Sequence, residues 1–580
     1  MAIKNTDCEF TKMKSIINGI CIAIFPNTAD VLARCDVSPS SQKFADRFEF
    51  SANHAMIIAS YIKDSPANIA VKIIDAIKQH NITQEIANIE VNGGFMNIKM
   101  KPVFWQNVLL NIVNNGDYGF ENYGAGQLVN IEYVSANPTG PMHIGHARGA
   151  VYGDVIANLL EKCGYKVTRE YYINDAGAQI NKVLDSILFR AKQIISADFT
   201  ENLPEGCYPG EYIMTAAQAV LDEFGESIVK RDDAHSQIWH FVINYMLNVI
   251  KQDLARLGVF HSVFTSEKQI TNDGKVEEMV SFLQDKGLIY KGVLEKPKGN
   301  ETEDWESVEQ MLFASSKFGD DVDRAMKKND GSWAYFTPDI AYHYDKFQRK
   351  FEKMILVLGA DHKGYKKRIS AAVNAISNGA ASVEVVLCEL VNFVKNGQPV
   401  KMSKRSGNFL TLSDVLNEID PQILRFFLII KKNDTVVDFD FEKVMEQSKE
   451  NPIFYIQYAY SRCCSLLKKA QSGGAFVSAD IDYSTFMHMI KHDGQVAIIH
   501  KLSQYSKLIH HCVLTLSPHL IAAYLFELAG LFHSMWNVSN FRFISDDSNQ
   551  TIANMILVSA VKNTIKSSLD CLGILPMERM

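Results

Sequence analysis

Through residues 1–110 apolar positions recur at helical spacing around 55–65 and 69–79. They then alternate through 86–100 about Gly93 and Gly94. A period near 3.6 marks amphipathic helices, and a period of two about a Gly-Gly pair marks a hairpin. The segment therefore reads as a small α+β domain. Upstream, the apolar run 16–25 follows Lys12 and Lys14 as a signal peptide would. It holds Asn18 and Gly19, ends at Pro26 and has no small-x-small site close behind, so it reads as the first core helix or strand.

From Leu128 the pattern changes. Residues 128–134 are a strand candidate, 147–163 carry apolar residues at helical spacing up to Gly164, and 166–173 are a second strand. Strand, helix and strand in so short a span make a βαβ unit and hence a parallel sheet. Helical and polar material fills 176–290, with charged loops at 296–306 and 327–331. The α/β alternation then resumes at 353–358, 363–378 and 383–394. After about residue 440 strands give way to helical periodicity at 451–470, 495–514, 518–536 and 551–572, and a Ser/Gly/Ala stretch (471–479) separates the first two. The expected domains are 1–110, 111–445 and 446–580.

Composition adds limits. In 580 residues, 47% are hydrophobic and 22% charged, which excludes global disorder. No apolar stretch reaches the ~18 residues that span a bilayer, so no membrane role is expected. The net charge of -7 excludes a basic coat protein. It is unevenly spread: residues 451–580 hold 10 Lys+Arg against 8 Asp+Glu, and the remainder 49 against 58. That fits an acidic body with a more basic appendage, or a chance fluctuation. The ten cysteines are scattered without a Cys-x-x-Cys pair, so reduced, mostly buried thiols are expected and no structural zinc.

Two segments carry chemistry. Residues 135–150, SANPTGPMHIGHARGA, lie at the strand-to-helix turn of the βαβ unit, where parallel sheets bind ligands and helix N-termini favour phosphates. His143 and His146 lie three apart, so both imidazoles share one face. Gly145 between them lets a flat base or ribose approach the backbone. Two histidines can donate to phosphate oxygens as charge builds in a transition state. About 255 residues later comes VKMSKRSGNFL, which packs Lys401, Lys404 and Arg405 among Met402, Ser403, Ser406 and Gly407. A cationic loop of this kind can stabilise a leaving pyrophosphate.

The paired segments resemble the HIGH and KMSKS motifs of class I aminoacyl-tRNA synthetases. The flanking text, including REYYINDAGAQI (169–180), YFTPDIAYHYDKF (335–347), GADHKGY (359–365), NPIFYIQYAYSR (451–462) and LPMERM (575–580), resembles the bacterial arginyl type. The resemblance runs from about 131 to the last residue. It implies a Rossmann-like α/β parallel-sheet catalytic domain, a small α+β N-terminal domain that binds tRNA and an all-α anticodon-binding domain. It also implies ATP-dependent ligation of arginine to tRNA(Arg) by way of arginyl-adenylate, in the cytoplasm, by a monomer. Magnesium is expected with ATP, and no metal ligand set in the protein. By that resemblance His143, His146 and Lys404 are catalytic, and Gly145, Lys401, Met402 and Ser403 join them in binding ATP. Arg405 replaces the usual serine and leaves Lys404 in place.

For the substrate, the resemblance names Glu132, Asn137, His146, Tyr335 and Asp339, with Asp361 and His362 as further candidates. Guanidinium is a planar fork of donors that needs carboxylates placed to receive it. Two acids, a phenol and an amide suit that need. Phe95 and Asn97 are implied to contact the tRNA D-loop by stacking and hydrogen bonding. Tyr455, Tyr458, Tyr460 and Arg462, followed by Lys468 and Lys469, are candidates for anticodon bases. A cysteinyl-type enzyme would want zinc-ligating cysteines and a glutamyl type a cationic pocket. A catalytically silent relative that binds tRNA or arginine would not need both histidines and Lys404.

Overall fold

Ile131 of β5 (Leu128–Glu132) and Ile355 of β11 (Lys353–Gly359) are fully buried, as expected of strands covered by helices on both faces. These two form the centre of a parallel sheet in the order β12-β11-β5-β6-β7, with β6 (Lys166–Ile173), β7 (Val263–Ser266) and β12 (Ser382–Cys388). The computed structural model describes residues 9–41, 43–44, 47–115, 118–196, 198–199, 201–294, 309–395, 397–399, 410–448, 450–474 and 482–580. The helix Ala147–Lys162 joins β5 to β6, as the periodicity predicts. Gly164 ends that turn at φ +83°, where a Cβ would meet the Asn122 side chain at 1.9 Å. Strand order reverses between β5 and β11, so a crevice opens beyond their carboxyl ends.

Three departures from the sequence reading matter. The strand expected over 128–134 stops at Glu132, because Val134 and Ser135 turn into positive φ (72° and 39°). Segment 176–290, read as helical, contains β7 after the helices Ala178–Ile195, Glu211–Phe224 and Ala234–Arg256. At four residues, β7 is too short to show a period. Segment 383–394 breaks in two, and its second half, β13 (Val391–Lys395), leaves the main sheet to pair in parallel with Val437–Asp440.

The N-terminal domain is a four-stranded antiparallel sheet, β1 (Val37–Pro39), β2 (Phe50–Ala52), β4 (Phe95–Met100) and β3 (Ile86–Asn92) in spatial order. Helices Glu9–Ile24, His54–Ile62 and Pro66–Gln79 accompany it. The run 16–25 is thus a helix burying Ile17, Ile20 and Cys21. Residues beyond 450 form helices Pro452–Ser472, Asp493–Ser503, Tyr505–Thr515, His519–Trp536 and Ser548–Cys571. They dock on the central domain through the buried Arg425, whose guanidinium reaches Asp154 at 2.6 Å and the Leu572 and Leu257 carbonyls. Such a cation must be matched on every side because its desolvation is otherwise uncompensated. No described helix is long and apolar enough to cross a membrane.

Candidate functional site

Glu132 is the last residue of β5 and is 6% exposed. A carboxylate there needs partners. Oε2 accepts from Lys346 Nζ at 2.7 Å, and Oε1 accepts from the Ser135 hydroxyl at 3.3 Å. Lys346, on the helix Phe336–Gln348, is wholly buried. The left-handed turn at Val134–Ser135 makes this possible, because it folds Ser135 Oγ back where the Tyr172 amide also donates to it at 3.0 Å. A β-branched residue at φ 72° is costly, and strain of this kind is held where surrounding contacts over-determine it. The charge of Glu132 is therefore balanced inside the protein.

The uncompensated acids are two others. Asp339, in the first turn of the same helix, and Glu267, immediately after β7, form no ion pair among the described residues. Burial raises the Glu267 carboxyl, and Asp175 beside it adds to the effect. Asp339 is pushed up to about 8, first by burial and then by the charges of Glu267 and Glu132; the Tyr365 hydroxyl and Lys346 oppose the rise. Tyr172, tilted against Tyr342 with ring centroids 4.6 Å apart, has its hydroxyl raised by burial and by Asp339 and Glu267. His343 is held near 3 by burial and by Lys346, so it stays neutral, with Nδ1 2.8 Å from the Asp339 carbonyl. The result is a group of half-buried acids with raised carboxyls and phenols around them, which suits an organic cation.

A guanidinium favours the ionised form of Asp339, so its binding should expel the proton that the raised carboxyl holds at neutral pH. Affinity for a permanently charged guanidinium should rise by about tenfold per pH unit between 6 and 8, then level off. Isothermal titration in buffers of different ionisation enthalpy checks this through the proton released. A pH-independent affinity would contradict it. The same raised pKa means that stability contributed below the unfolded carboxyl value is lost as pH rises through 8, an effect the bound cation offsets.

The histidine turn lies on the same side of the sheet. His143 Nδ1 accepts from the Gly145 amide at 2.9 Å, and the two rings stand edge to face with centroids 6.2 Å apart. Gly145 is exposed, and a Cβ there would meet only the His143 ring. The turn is stitched to the chain that follows the basic loop: Ile144 N donates to Leu410 O at 3.3 Å and Leu412 N to Met142 O at 2.8 Å. Lys401, Met402, Ser403, Lys404 and Arg405 lie outside the described residues.

Other candidates divide. Asn137 stands after β5 and donates to Gln179 Oε1 at 2.9 Å. Tyr335 precedes Asp339 by one turn but is 76% exposed, so it sits at the rim. Asp361 and His362, after β11, are exposed and 3.6 Å apart. Phe95 is exposed at the hairpin tip. Asn97 shares its face but is 3% exposed, a correction to the expected open amide. It lies on an inner strand, flanked by Ser51 and Glu90. Tyr460 and Tyr458 also separate: Tyr460 is core, whereas Tyr458 is exposed beneath the Arg462 guanidinium at 4.1 Å, with Trp536 4.5 Å from the same cation. A cleft of about 490 Å³ at the amino ends of β11 and β12, lined by Lys353, Ser382 and Lys432, contains none of the candidates.

Sequence reasoning missed Glu267. Its signal was the string Ser266-Glu267-Lys268-Gln269, a capping-box pattern in which Ser266 Oγ accepts from Gln269 N at 3.0 Å. That pattern marks a helix start, and so the carboxyl end of the short strand before it.

Comparison with known proteins agrees along the chain. Residues 11–100 match the arginyl tRNA synthetase N terminal domain, 107–455 the catalytic domain of tRNA synthetases class I (R), and 456–580 the DALR anticodon binding domain. The arginine--tRNA ligase of Roseobacter denitrificans is 44% identical over 540 residues, 92% of either chain. That of Wolbachia pipientis is 45% identical over 549 residues, covering 93% of this chain and 94% of the other. A solved structure described as a putative arginyl tRNA synthetase from Campylobacter jejuni has 30% identity and a TM-score of 0.70, over 83% of this chain and all of that one. The arginyl-tRNA synthetase of Thermus thermophilus, at 16% identity and TM-score 0.74 over 98% and 99% of the two chains, shares the fold. With its half-buried acids, its histidine turn and three successive domain matches, the chain belongs to the arginyl-tRNA synthetases, the class I arginine–tRNA ligases.

Proposed function

We propose a division of labour for the ligation of arginine to tRNA(Arg), carried by one observation: two acids, Asp339 and Glu267, that form no ion pair among the described residues and stand, like the histidine turn, at the carboxyl end of the parallel sheet. Asp339 and Glu267 receive the guanidinium, with Tyr335 closing the rim. Glu132, held by Lys346, and Asn137 orient the amino-acid end of the substrate, and His146 borders it. ATP enters as its magnesium complex, the metal riding on the phosphates. Gly145 leaves room for the nucleotide. With Nδ1 occupied as an acceptor, His143 presents its proton on Nε2 to a phosphate oxygen, and His146 flanks it. Lys401, Met402, Ser403 and Lys404 contribute from the basic loop.

The arginine carboxylate oxygen attacks the α-phosphorus, forming a P–O bond as the bond to pyrophosphate breaks. Lys404 offsets the charge that builds on the leaving oxygens. A ribose hydroxyl of the terminal adenosine then attacks the arginyl carbonyl, and AMP departs. Phe95 stacks on the tRNA D-loop. Tyr455, Tyr458, Trp536 and Arg462 form the aromatic and cationic surface for anticodon bases. The reading places the enzyme in the cytoplasm as a monomer.

Charging total tRNA with each of the twenty amino acids in turn tests the assignment. Arginine alone should be attached, in a reaction that consumes ATP. Attachment of glutamate, glutamine or cysteine in its place would overturn it.

A further inference from the structure

We propose that Asp253 and Arg256 are positioning residues for adenylate formation, holding the His143 turn in register with the chain that leaves the basic loop. The inference rests on the role given above to His143.

Both residues lie in the last turn of the helix Ala234–Arg256, three apart and so on one face. Asp253 is 5% exposed and in no ion pair among the described residues, and its Oδ2 accepts from the Met142 amide at 3.3 Å. Met142 immediately precedes His143. Its carbonyl accepts from Leu412, and Ile144 on the other side donates to Leu410, so His143 faces Thr411 in a short antiparallel bridge. Thr411 caps the helix Leu412–Glu418 through a reciprocal pair with Asp414. On that helix Ser413 Oγ and Asn417 Oδ1 receive the two ends of the Arg256 guanidinium at 2.6 and 2.7 Å.

The contacts therefore close a ring: Asp253 to Met142, Met142 to Leu412, the capped helix to Arg256, and Arg256 back to Asp253 along one helical turn. The ring ties the turn to a single support. A buried carboxylate spent on a single backbone amide is a poor choice for stability alone, because an apolar side chain would avoid its desolvation. It does fix the amide next to His143 in direction as well as distance. Arg256 is exposed, and it spends its planar fork on two neutral oxygens rather than on a carboxylate. That geometry orients the second helix and adds little ionic stabilisation.

The test is ATP–pyrophosphate exchange by the full chain with arginine and tRNA present. Arg256→Ala, at an exposed position, should fold normally. It should lower kcat by about 10- to 100-fold, the scale of a misplacement near 1 Å, with KM for arginine within about twofold because Asp339 and Glu267 lie outside the ring. Asp253→Leu should behave alike, and Asp253→Asn, which keeps an oxygen for the Met142 amide, should recover most of the loss. Asn417→Ala combined with Arg256→Ala should cost little beyond Arg256→Ala alone, since the two act through one contact. A parent-like kcat in Arg256→Ala, or additive losses in the double variant, would overturn the proposal. Equal changes in kcat and in KM for arginine would assign the ring to general folding and overturn it too. Failure of the parent protein to charge arginine would instead sink the functional reading on which this rests.

Discussion

Asp339→Asn raises KM for arginine by more than two powers of ten at pH 8 and leaves KM for ATP nearly unchanged. The substitution keeps size and hydrogen bonding to Tyr365 and deletes one charge from an acid that burial and Glu267 already hold at the edge of ionisation. A guanidinium drawn from water into that crevice is then half-matched. Breaking one partner of a buried pair costs about 3–5 kcal/mol, which sets the size of the effect. Glu267→Gln should act in the same direction. Neutral citrulline is the control: the variants should lose most of the parent's preference for arginine over it. A parent-like KM in both variants would place the guanidinium elsewhere, and Asp361 would be the next carboxylate to test. Glu132→Gln is a different experiment, because it orphans the fully buried Lys346. Its loss of arginine binding should come with a clear fall in Tm, which Asp339→Asn should not show.

Lys404→Ala should lower kcat of adenylate formation about a hundred- to a thousandfold, with a much smaller change in KM for ATP. Removing one preorganised charge-assisted contact made chiefly in the transition state costs about 3–4 kcal/mol. The residue lies outside the described part of the chain. The structural support is on its flank, where Leu410 and Leu412 bond to Ile144 and Met142. That pairing brings the chain leaving the basic loop alongside His143. Steady-state pyrophosphate exchange separates the two constants. A normal kcat with only a raised KM would give Lys404 a ground-state role.

Much of the architecture was legible along the chain. Where a helix is long, as in Ala147–Lys162 or in Pro66–Gln79 capped by Ser65, periodicity placed it to within a few residues. The segment 495–514 shows the limit. It divides into two helices at Gln504 without a glycine or proline to mark the break. Strand ends failed where backbone strain overrode propensity, as at Val134. Of the candidates named from the sequence, His143 and Asp339 occupy one side of the sheet. Tyr335 is exposed, and Asn97 is covered by its neighbours on an inner strand.

By itself the sequence determined the βαβ unit, the succession of α+β, α/β and all-helical segments, and the two motifs whose spacing leaves room for a nucleotide-binding fold between them. These are local properties: period, caps and residue type act within a turn or two of the chain. Only the tertiary structure decided which acids remain uncompensated. Lys346 follows Glu132 by 214 residues and neutralises it, whereas Glu267 and Asp339 arrive from separate elements and form no ion pair among the described residues. Charge balance in a buried crevice depends on distances across the sheet, and sequence spacing carries no record of those.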